Sequence, residues 1–278
     1  MITKESPAKI NLYLRVLRKR EDGYHDILSL MQQISLCDEL TFAETGGEIT
    51  VHCPGTTLPE GEGNIVYRAA TAFFSRIGAS PGIEITLRKR IPIAAGLGGG
   101  SSNAATTLMT LNEMHGSPVT REELMNIGSE LGADVPFFIF GKTAWACGIG
   151  DRFPESPPLP PLWFVLINPG FEISTKLVYQ GLNLGLTKQG INYSIPRFST
   201  TEDLIHGLTN DLESVTVRLH PVLDQIKALL LASGARGALM SGSGPTVFGV
   251  FTDRETAGKA EKKLGQGTRW AVFGAQSL

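Results

Sequence analysis

A glycine-rich segment at residues 92–102 carries the strongest chemical signal in the sequence. It comprises Pro92, Ile93, Ala94, Ala95, Gly96, Leu97, Gly98, Gly99, Gly100, Ser101 and Ser102. Glycines lack a Cβ and let backbone N–H groups curve around an anion, and a helix that starts near Ser101 adds unsatisfied N–H groups and a positive dipole end. The segment therefore predicts a phosphate-binding loop, in which Ser101 and Ser102 can bond phosphate oxygens or Mg²⁺.

Two common nucleotide-binding motifs do not fit this segment. A Walker loop needs a lysine before its serine or threonine, and none is present; the dinucleotide fingerprint fails because Ser101 occupies its third glycine position. The alternative is that the glycines only allow a tight strand-to-helix turn and that the serines cap the helix.

Phosphoryl transfer also needs a group that deprotonates the attacking hydroxyl and a cation that neutralises charge. Asp134 lies among small and apolar residues, and its alternative role is the N-cap of a helix that starts at Val135. Lys9 lies between two apolar residues, unlike the charge run at 88–90, which is typical of a solvated surface; its alternative role is a strand residue that faces water. These two residues are the candidate catalytic pair.

Two further segments carry weaker signals. Tyr24 and His25 follow an Asp-Gly turn and offer an aromatic face beside a hydrogen-bonding ring, which is what stacking on and reading a base requires. A core tyrosine and a surface histidine would give the same pattern. Residues 241–246, Ser-Gly-Ser-Gly-Pro-Thr, can support the first loop, contact an acceptor, or form only a turn.

Composition narrows the class of protein. The 278 residues have a formal net charge of -2 and 19% charged residues, so nucleic acid is not an expected partner. Three widely spaced cysteines indicate neither a disulfide framework nor a zinc site. No run reaches the roughly 20 apolar residues that span a bilayer, and the first residues leave no room for a signal core. We expect a cytoplasmic protein with no membrane partner.

The elements that must position these residues follow from periodicity and caps. Alternation over residues 8–17 places Lys9 and Asn11 on one face of a strand. Further strands are predicted at 27–34, 40–43, 49–53, 83–87, 163–167, 238–240, 246–251 and 269–273. Helices are predicted after Asn64, from about Ser101 to Met114, after Thr120 with Glu123 as a capping box, at 174–182, near Asp203 and Asp211, at 221–232 and at 252–264.

A proline-rich stretch at 153–162 can form neither a helix nor an inner strand. We place the domain boundary there, which gives domains at 1–156 and 157–278; the alternative is a surface loop within one domain. The fold class is α+β, with two domains.

Taken together, three blocks resemble the GHMP kinase superfamily: residues 7–12 (Pro-Ala-Lys-Ile-Asn-Leu), residues 92–102, and residues 241–249. Within it, the segments at 20–25, 29–31 and 132–138 resemble members that phosphorylate a cytidine-diphosphate-bearing alcohol. The resemblance implies an N-terminal ATP-binding domain, a C-terminal substrate domain and a cleft between them. It also implies ATP and Mg²⁺ as cofactors, with no residue assigned as a metal ligand and the oligomeric state left open between monomer and homodimer.

The same resemblance assigns roles to single residues. Asp134 looks like the general base and Lys9 its electrostatic partner; Tyr24 and Tyr179 would sandwich the cytosine, His25 would read its polar edge, and Asn11 would place the acceptor. Asn103 stands where many members carry aspartate. A mevalonate-type or homoserine-type kinase, or a non-catalytic regulator of the same fold, remains the alternative.

Overall fold

The chain forms two structural units, and two long strands each contribute residues to both. The computed structural model describes residues 1–154, 156, 159–182 and 194–278. Unit 1 comprises Met1–Ala8, Cys37–Ile93 and Gly98–Lys142, and unit 2 comprises Lys9–Leu36, Ala94–Leu97 and Thr143–Leu278. Strands β1 (Ile2–Lys19) and β2 (His25–Glu44) contribute residues to each.

Unit 1 packs helices against a small sheet. The second half of β2 pairs antiparallel with β4 (Ile83–Arg88), and β4 pairs parallel with β3 (Ile49–His52). Along β4 the buried residues alternate with more exposed ones, as expected of a strand with one face on the core. The helices are α1 (Ile65–Ile77), α2 (Gly99–Met114), α3 (Arg121–Leu131) and α4 (Val135–Phe140), and α2 packs against α1 and α4.

Unit 2 contains a four-stranded antiparallel sheet whose two central strands are almost entirely buried. These are β6 (Trp163–Asn168) and β9 (Val247–Phe251), flanked by β8 (Gly237–Met240) and β10 (Ala271–Gln276). The first half of β2 pairs with β5 (Ala144–Gly148), and β1 pairs with β7 (Thr209–Asn210). The helices are α5 (Thr175–Gln180), α6 (Thr201–Gly207), α7 (Glu213–Leu219), α8 (Val222–Ala232) and α9 (Arg254–Gly267).

The predicted helix starts are confirmed at the level of hydrogen bonds. The Asn64 side chain accepts a hydrogen bond from the Val66 backbone N–H at the start of α1. Thr120 and Glu123 form the predicted capping box of α3. Such caps satisfy N–H groups of the first helical turn that have no carbonyl partner within the helix. Because the capping residue and the N–H groups it bonds lie within four consecutive residues, these caps can be predicted from the sequence.

Two strand predictions need correction. The segments 27–34 and 40–43 belong to one strand, β2, whose first half pairs with β5 and whose second half pairs with β4. Strand β5 was not predicted, since its five residues are all buried and show no alternation.

The predicted boundary between 156 and 157 stays a prediction, because Glu155, Pro157 and Pro158 in the proline-rich stretch lie outside the described residues. Across the described residues, no helix combines the length and apolar composition needed to cross a bilayer.

Candidate active site

The glycine-rich segment has the backbone of an anion-binding loop. Ala94, Gly96 and Gly98 have φ values of 51°, 76° and 67°, so left-handed residues recur at alternate positions before α2. Gly98 is the N-cap of α2 and has no side chain to bond the first turn. The N–H groups of that turn therefore depend on an acceptor outside the helix, which favours a bound anion.

The centre of this loop is held by the second glycine motif within unit 2. The Ser241 hydroxyl donates to the Gly96 carbonyl over 2.9 Å, and the Thr246 N–H donates to the Ala95 carbonyl over 3.4 Å. A Cβ on Gly96 would lie 2.2 Å from the Ser241 carbonyl oxygen. On the other side, the Lys9 N–H donates to the Leu97 carbonyl over 2.9 Å. Of the three roles left open for residues 241–246, support of the first loop is the one seen in these contacts.

Asn210 anchors the second motif, a role that the sequence did not predict. Its amide nitrogen donates to the carbonyls of Met240 and Gly242, each over 2.8 Å, while its oxygen accepts the Leu212 N–H. An asparagine before a helix looks like an ordinary cap in sequence, so no local signal distinguishes this cross-chain bridge.

Lys9 is buried, with 4% of its surface exposed, which excludes the alternative of a strand residue facing water. Its ammonium donates to the Asn11 side-chain oxygen over 2.7 Å, which confirms that the two residues share a face. Asn11 in turn donates to the Ser29 hydroxyl over 2.8 Å, and that hydroxyl donates to the Tyr13 carbonyl. This chain of bonds fixes the orientation of both side chains on the strand.

Asp134 is the residue immediately before α4, but its side chain makes no capping hydrogen bond to that helix. Helix capping, the alternative role for this residue, therefore does not explain why an aspartate stands at this position. The turn that carries it runs past the start of α2 in unit 1, since a Cβ on Gly132 would lie 3.6 Å from the Ser101 hydroxyl oxygen. Asp134 and α2 thus belong to one packed unit, whereas Lys9 belongs to unit 2.

The two loop serines have different surroundings. Ser102 is fully buried, and its hydroxyl oxygen accepts a hydrogen bond from Ser6 over 2.7 Å, while its N–H donates to the Gly98 carbonyl. Ser101 is partly exposed. Of the two hydroxyls, that of Ser101 is the more accessible to a ligand, and the assignment of both serines to phosphate remains a prediction.

The three predicted base-reading residues belong to unit 2, and two of them, His25 and Tyr179, contact each other. Tyr24 follows the tight turn at Gly23 and is 60% exposed. The His25 ring lies against that of Tyr179, with 4.8 Å between centroids and 34° between planes. Burial, with a smaller contribution from Lys19, lowers the pKa of His25 below its usual 6.5. The imidazole is therefore neutral at pH 7 and can both donate and accept a hydrogen bond.

A pocket of about 560 Å³ opens in unit 1 next to the first residues of the glycine-rich segment. It is lined by Gly55, Thr56, Thr57, Lys89, Arg90, Ile91, Pro92 and Ile93. Lys89 was expected in a solvated charge run, and this was wrong: only 8% of its side chain is exposed, because its ammonium pairs with the buried carboxylate of Asp38. Within the described residues, no group of three or more His, Cys, Asp or Glu side chains is arranged to hold a metal ion.

Comparison with known proteins agrees with this arrangement. The family model "GHMP kinases N terminal domain" matches residues 64–142, and "GHMP kinases C terminal" matches residues 194–267. The chain is 59% identical to the 4-diphosphocytidyl-2-C-methyl-D-erythritol kinase of Syntrophus aciditrophicus, over 98% of both chains. It is 54% identical to the enzyme of that name from Syntrophotalea carbinolica, again over 98% of both.

Solved structures show the same fold. A crystal structure of 4-(cytidine 5'-diphospho)-2C-methyl-D-erythritol kinase superposes with a TM-score of 0.83 at 36% identity, over 99% of both chains. Homoserine kinase from Cytophaga hutchinsonii superposes with a TM-score of 0.75 over 100% of this chain and 94% of the other; at 21% identity this likeness concerns the fold alone. With both family models matched in order and relatives of more than 50% identity along almost its whole length, the chain belongs to the GHMP kinases and has their two-domain fold of mixed helices and sheets.

Proposed function

We propose that this kinase transfers the γ-phosphoryl group of ATP to the tertiary 2-hydroxyl of 4-(cytidine 5'-diphospho)-2-C-methyl-D-erythritol, a step of the non-mevalonate route to isoprenoid precursors. The observation that carries the proposal is the 59% identity, over 98% of both chains, to a relative with that named activity. Homoserine and mevalonate kinases resemble the chain at 21% and 15% identity, which speaks only for the fold.

The proposed recognition of the cytidine-bearing acceptor rests on three aromatic side chains of unit 2. A neutral His25 offers one donor and one acceptor, which matches the mixed donor and acceptor edge of cytosine. Tyr24 and Tyr179 supply faces on which the base can stack. A small acceptor without a base would have no use for these three rings.

In the proposed mechanism, Asp134 takes the proton of the attacking hydroxyl as the oxygen bonds to the γ-phosphorus and the bond to the ADP oxygen breaks. A positioned base of this kind contributes about 10² to 10⁴ in rate. Lys9 supplies positive charge for the carboxylate and for the developing phosphoryl charge. Its bond to Asn11 orients the ammonium, and Asn11 is the proposed contact for the acceptor.

The proposed ATP site rests on the glycine-rich loop and on the adjoining pocket of unit 1. The open first turn of α2 favours the phosphates of ATP, and a volume of about 560 Å³ is within the range of small-molecule pockets, roughly 300–1,000 Å³. The pocket adjoins Pro92 and Ile93, so we assign the nucleoside part of ATP to it.

Magnesium fits the chemistry of this site as an ion held mainly by phosphate oxygens. Mg²⁺ commonly takes one or two protein oxygens and completes its shell with phosphates and water. The partly exposed Ser101 hydroxyl, in the first turn of α2, is the protein oxygen that would contribute. When bound, the ion neutralises charge on the transferring phosphate.

ADP release in the presence of different acceptors tests the proposed reaction. The cytidine compound should support turnover, and mevalonate and homoserine should not; the reverse pattern would replace the assignment.

Asp134→Asn tests the proposed base. It should lower kcat by about 10² to 10⁴ with little change in the Kd for ATP. Asp224→Asn, an exposed position on α8, is the matched control and should retain full turnover. Near-normal turnover of Asp134→Asn would remove this residue from the mechanism.

A further inference from the structure

A buried network of charged and amide groups lies under the nucleotide pocket of unit 1. At its centre, Asp38 on β2 has no exposed surface. One carboxylate oxygen accepts the backbone N–H groups of Arg90 and Ile91, over 2.7 and 2.9 Å. The other accepts the Asn103 amide over 2.9 Å and the Lys89 ammonium. Four donors converge on this carboxylate, which is the condition under which a buried charge is tolerated.

Asn103 must be an amide in this network. Its nitrogen donates both to Asp38 and, over 3.0 Å, to the Ser6 hydroxyl oxygen, while its oxygen accepts the Lys89 ammonium over 3.3 Å. An aspartate here would lose both donors and would set a second buried carboxylate against Asp38. The amide at position 103, where many family members carry aspartate, therefore has a physical reason in this network.

Lys89 connects the network to the pocket. An ammonium has three donors, and within the described residues two of them are used by Asp38 and Asn103 on the buried side. The same side chain lines the pocket, and its nitrogen lies 3.1 Å from the position a Cβ would take on Gly99, in the first turn of α2. The ammonium is thus held where the open pocket meets the start of α2.

We propose that Asp38 and Asn103 are positioning residues that hold the Lys89 ammonium for contact with the bound nucleotide. This inference rests on the nucleotide part of the proposed function. A lysine side chain left unrestrained populates several rotamers, so two buried acceptors that hold its ammonium make the site pre-organised. Stability alone is a weak reason for the arrangement, because a buried ion pair adds little over well-packed apolar residues.

The experiment measures the Kd of a fluorescent (mant) ATP analogue for the full chain, together with the melting temperature of each variant. Asp38→Asn keeps an acceptor for the two backbone N–H groups but turns an NH₂ group toward the ammonium. It should raise the Kd at least tenfold, since hydrogen bonds to charged groups contribute about 1.5–3 kcal/mol. Asn103→Asp, in which a second carboxylate competes for the ammonium, should raise it by a similar factor.

A matched control separates positioning from general destabilisation. Asn112 lies on the same helix, is buried, and bonds both backbone groups of Val119 through its side chain. Asn112→Asp makes the same chemical change away from Lys89, so it should lower the melting temperature while leaving the Kd within twofold. The double change Asp38→Asn with Asn103→Asp restores one carboxylate and one amide around Lys89, and it should recover much of the lost affinity.

The outcomes are distinct. Folded Asp38→Asn or Asn103→Asp with a Kd within twofold of the parent overturns the inference, as does an equal loss of affinity in Asn112→Asp. If Asp38→Asn does not fold, Asn103→Asp and the double variant decide. A parent protein that binds the analogue but does not phosphorylate the cytidine compound removes only the acceptor assignment, whereas one that binds no analogue overturns the inference and the nucleotide assignment together.

Discussion

Gly96→Ala tests whether the second glycine motif, residues 241–246, sets the shape of the glycine-rich loop. At Gly96 the φ value is 76°, and an added Cβ would lie 2.2 Å from the Ser241 carbonyl oxygen and 3.1 Å from the Gly244 nitrogen. The first contact is about 1 Å inside normal van der Waals separation. Because the neighbours are backbone atoms of a turn that Asn210 holds, the loop itself has to move by about that distance.

The expected effects differ for stability and for catalysis. A non-glycine residue in the left-handed region costs about 1–2 kcal/mol, which lowers the free energy of unfolding by that amount before any clash is counted. A displacement of about 1 Å in a positioning element lowers turnover by about 10². We therefore expect Gly96→Ala to lose about 100-fold in kcat/KM for ATP, measured by ADP release.

Gly116→Ala is the matched control. Gly116 has the same φ of 76°, follows α2, and has nothing within 4 Å of an added Cβ. It should show the loss in unfolding free energy without the loss in kcat/KM. If Gly96→Ala kept its kcat/KM within threefold of the parent, the contact with Ser241 would not control the loop and the reasoning would be refuted.

Three further predictions concern other parts of the molecule. Asn210→Asp replaces two donors by an acceptor facing two carbonyls, so it should raise the KM for ATP about tenfold or more while a circular dichroism spectrum stays that of the parent. His25 has a lowered pKa, so the acceptor KM should stay constant from pH 8 to about 6.5 and rise as the pH falls through the lowered pKa and the ring becomes charged; a flat profile down to pH 5 would speak against base reading by this ring. The Thr120 backbone N–H, then its hydroxyl and Arg76, lower the pKa of Glu123 to about 2 from 4.5. Its stabilising contribution is therefore complete above pH 4.5 and is lost as the pH falls toward 2, so the difference in urea midpoint between the parent and Glu123→Gln should shrink between pH 5 and pH 3; a constant difference would contradict this.

Local elements of the fold were predictable because their causes are local. Each helix cap, at Asn64 and at Thr120, depends on residues within one helical turn. The alternating pattern of β1 depends on neighbouring positions of one strand. Strand β5 escaped prediction because its short buried run has no period.

The candidate site was predictable where a motif is continuous in sequence. The glycine-rich segment predicted an open helix start, and Lys9 and Asn11 were expected on one face, as observed. The environment of Lys89 was not predictable, because the sequence shows it between two arginines and gives no sign of Asp38, 51 residues away.

Sequence alone determined the backbone of the glycine-rich loop, the helix caps, the shared face of the first strand and membership of a kinase family, since each depends on a short or well-matched stretch of residue types. Tertiary structure decided which charges are buried and what holds them: Asp38 against Lys89 and Asn103, and Asn210 against the turn that supports Gly96. The physical reason is that a buried polar group is defined by its partners, and those partners come from distant segments that only packing brings together.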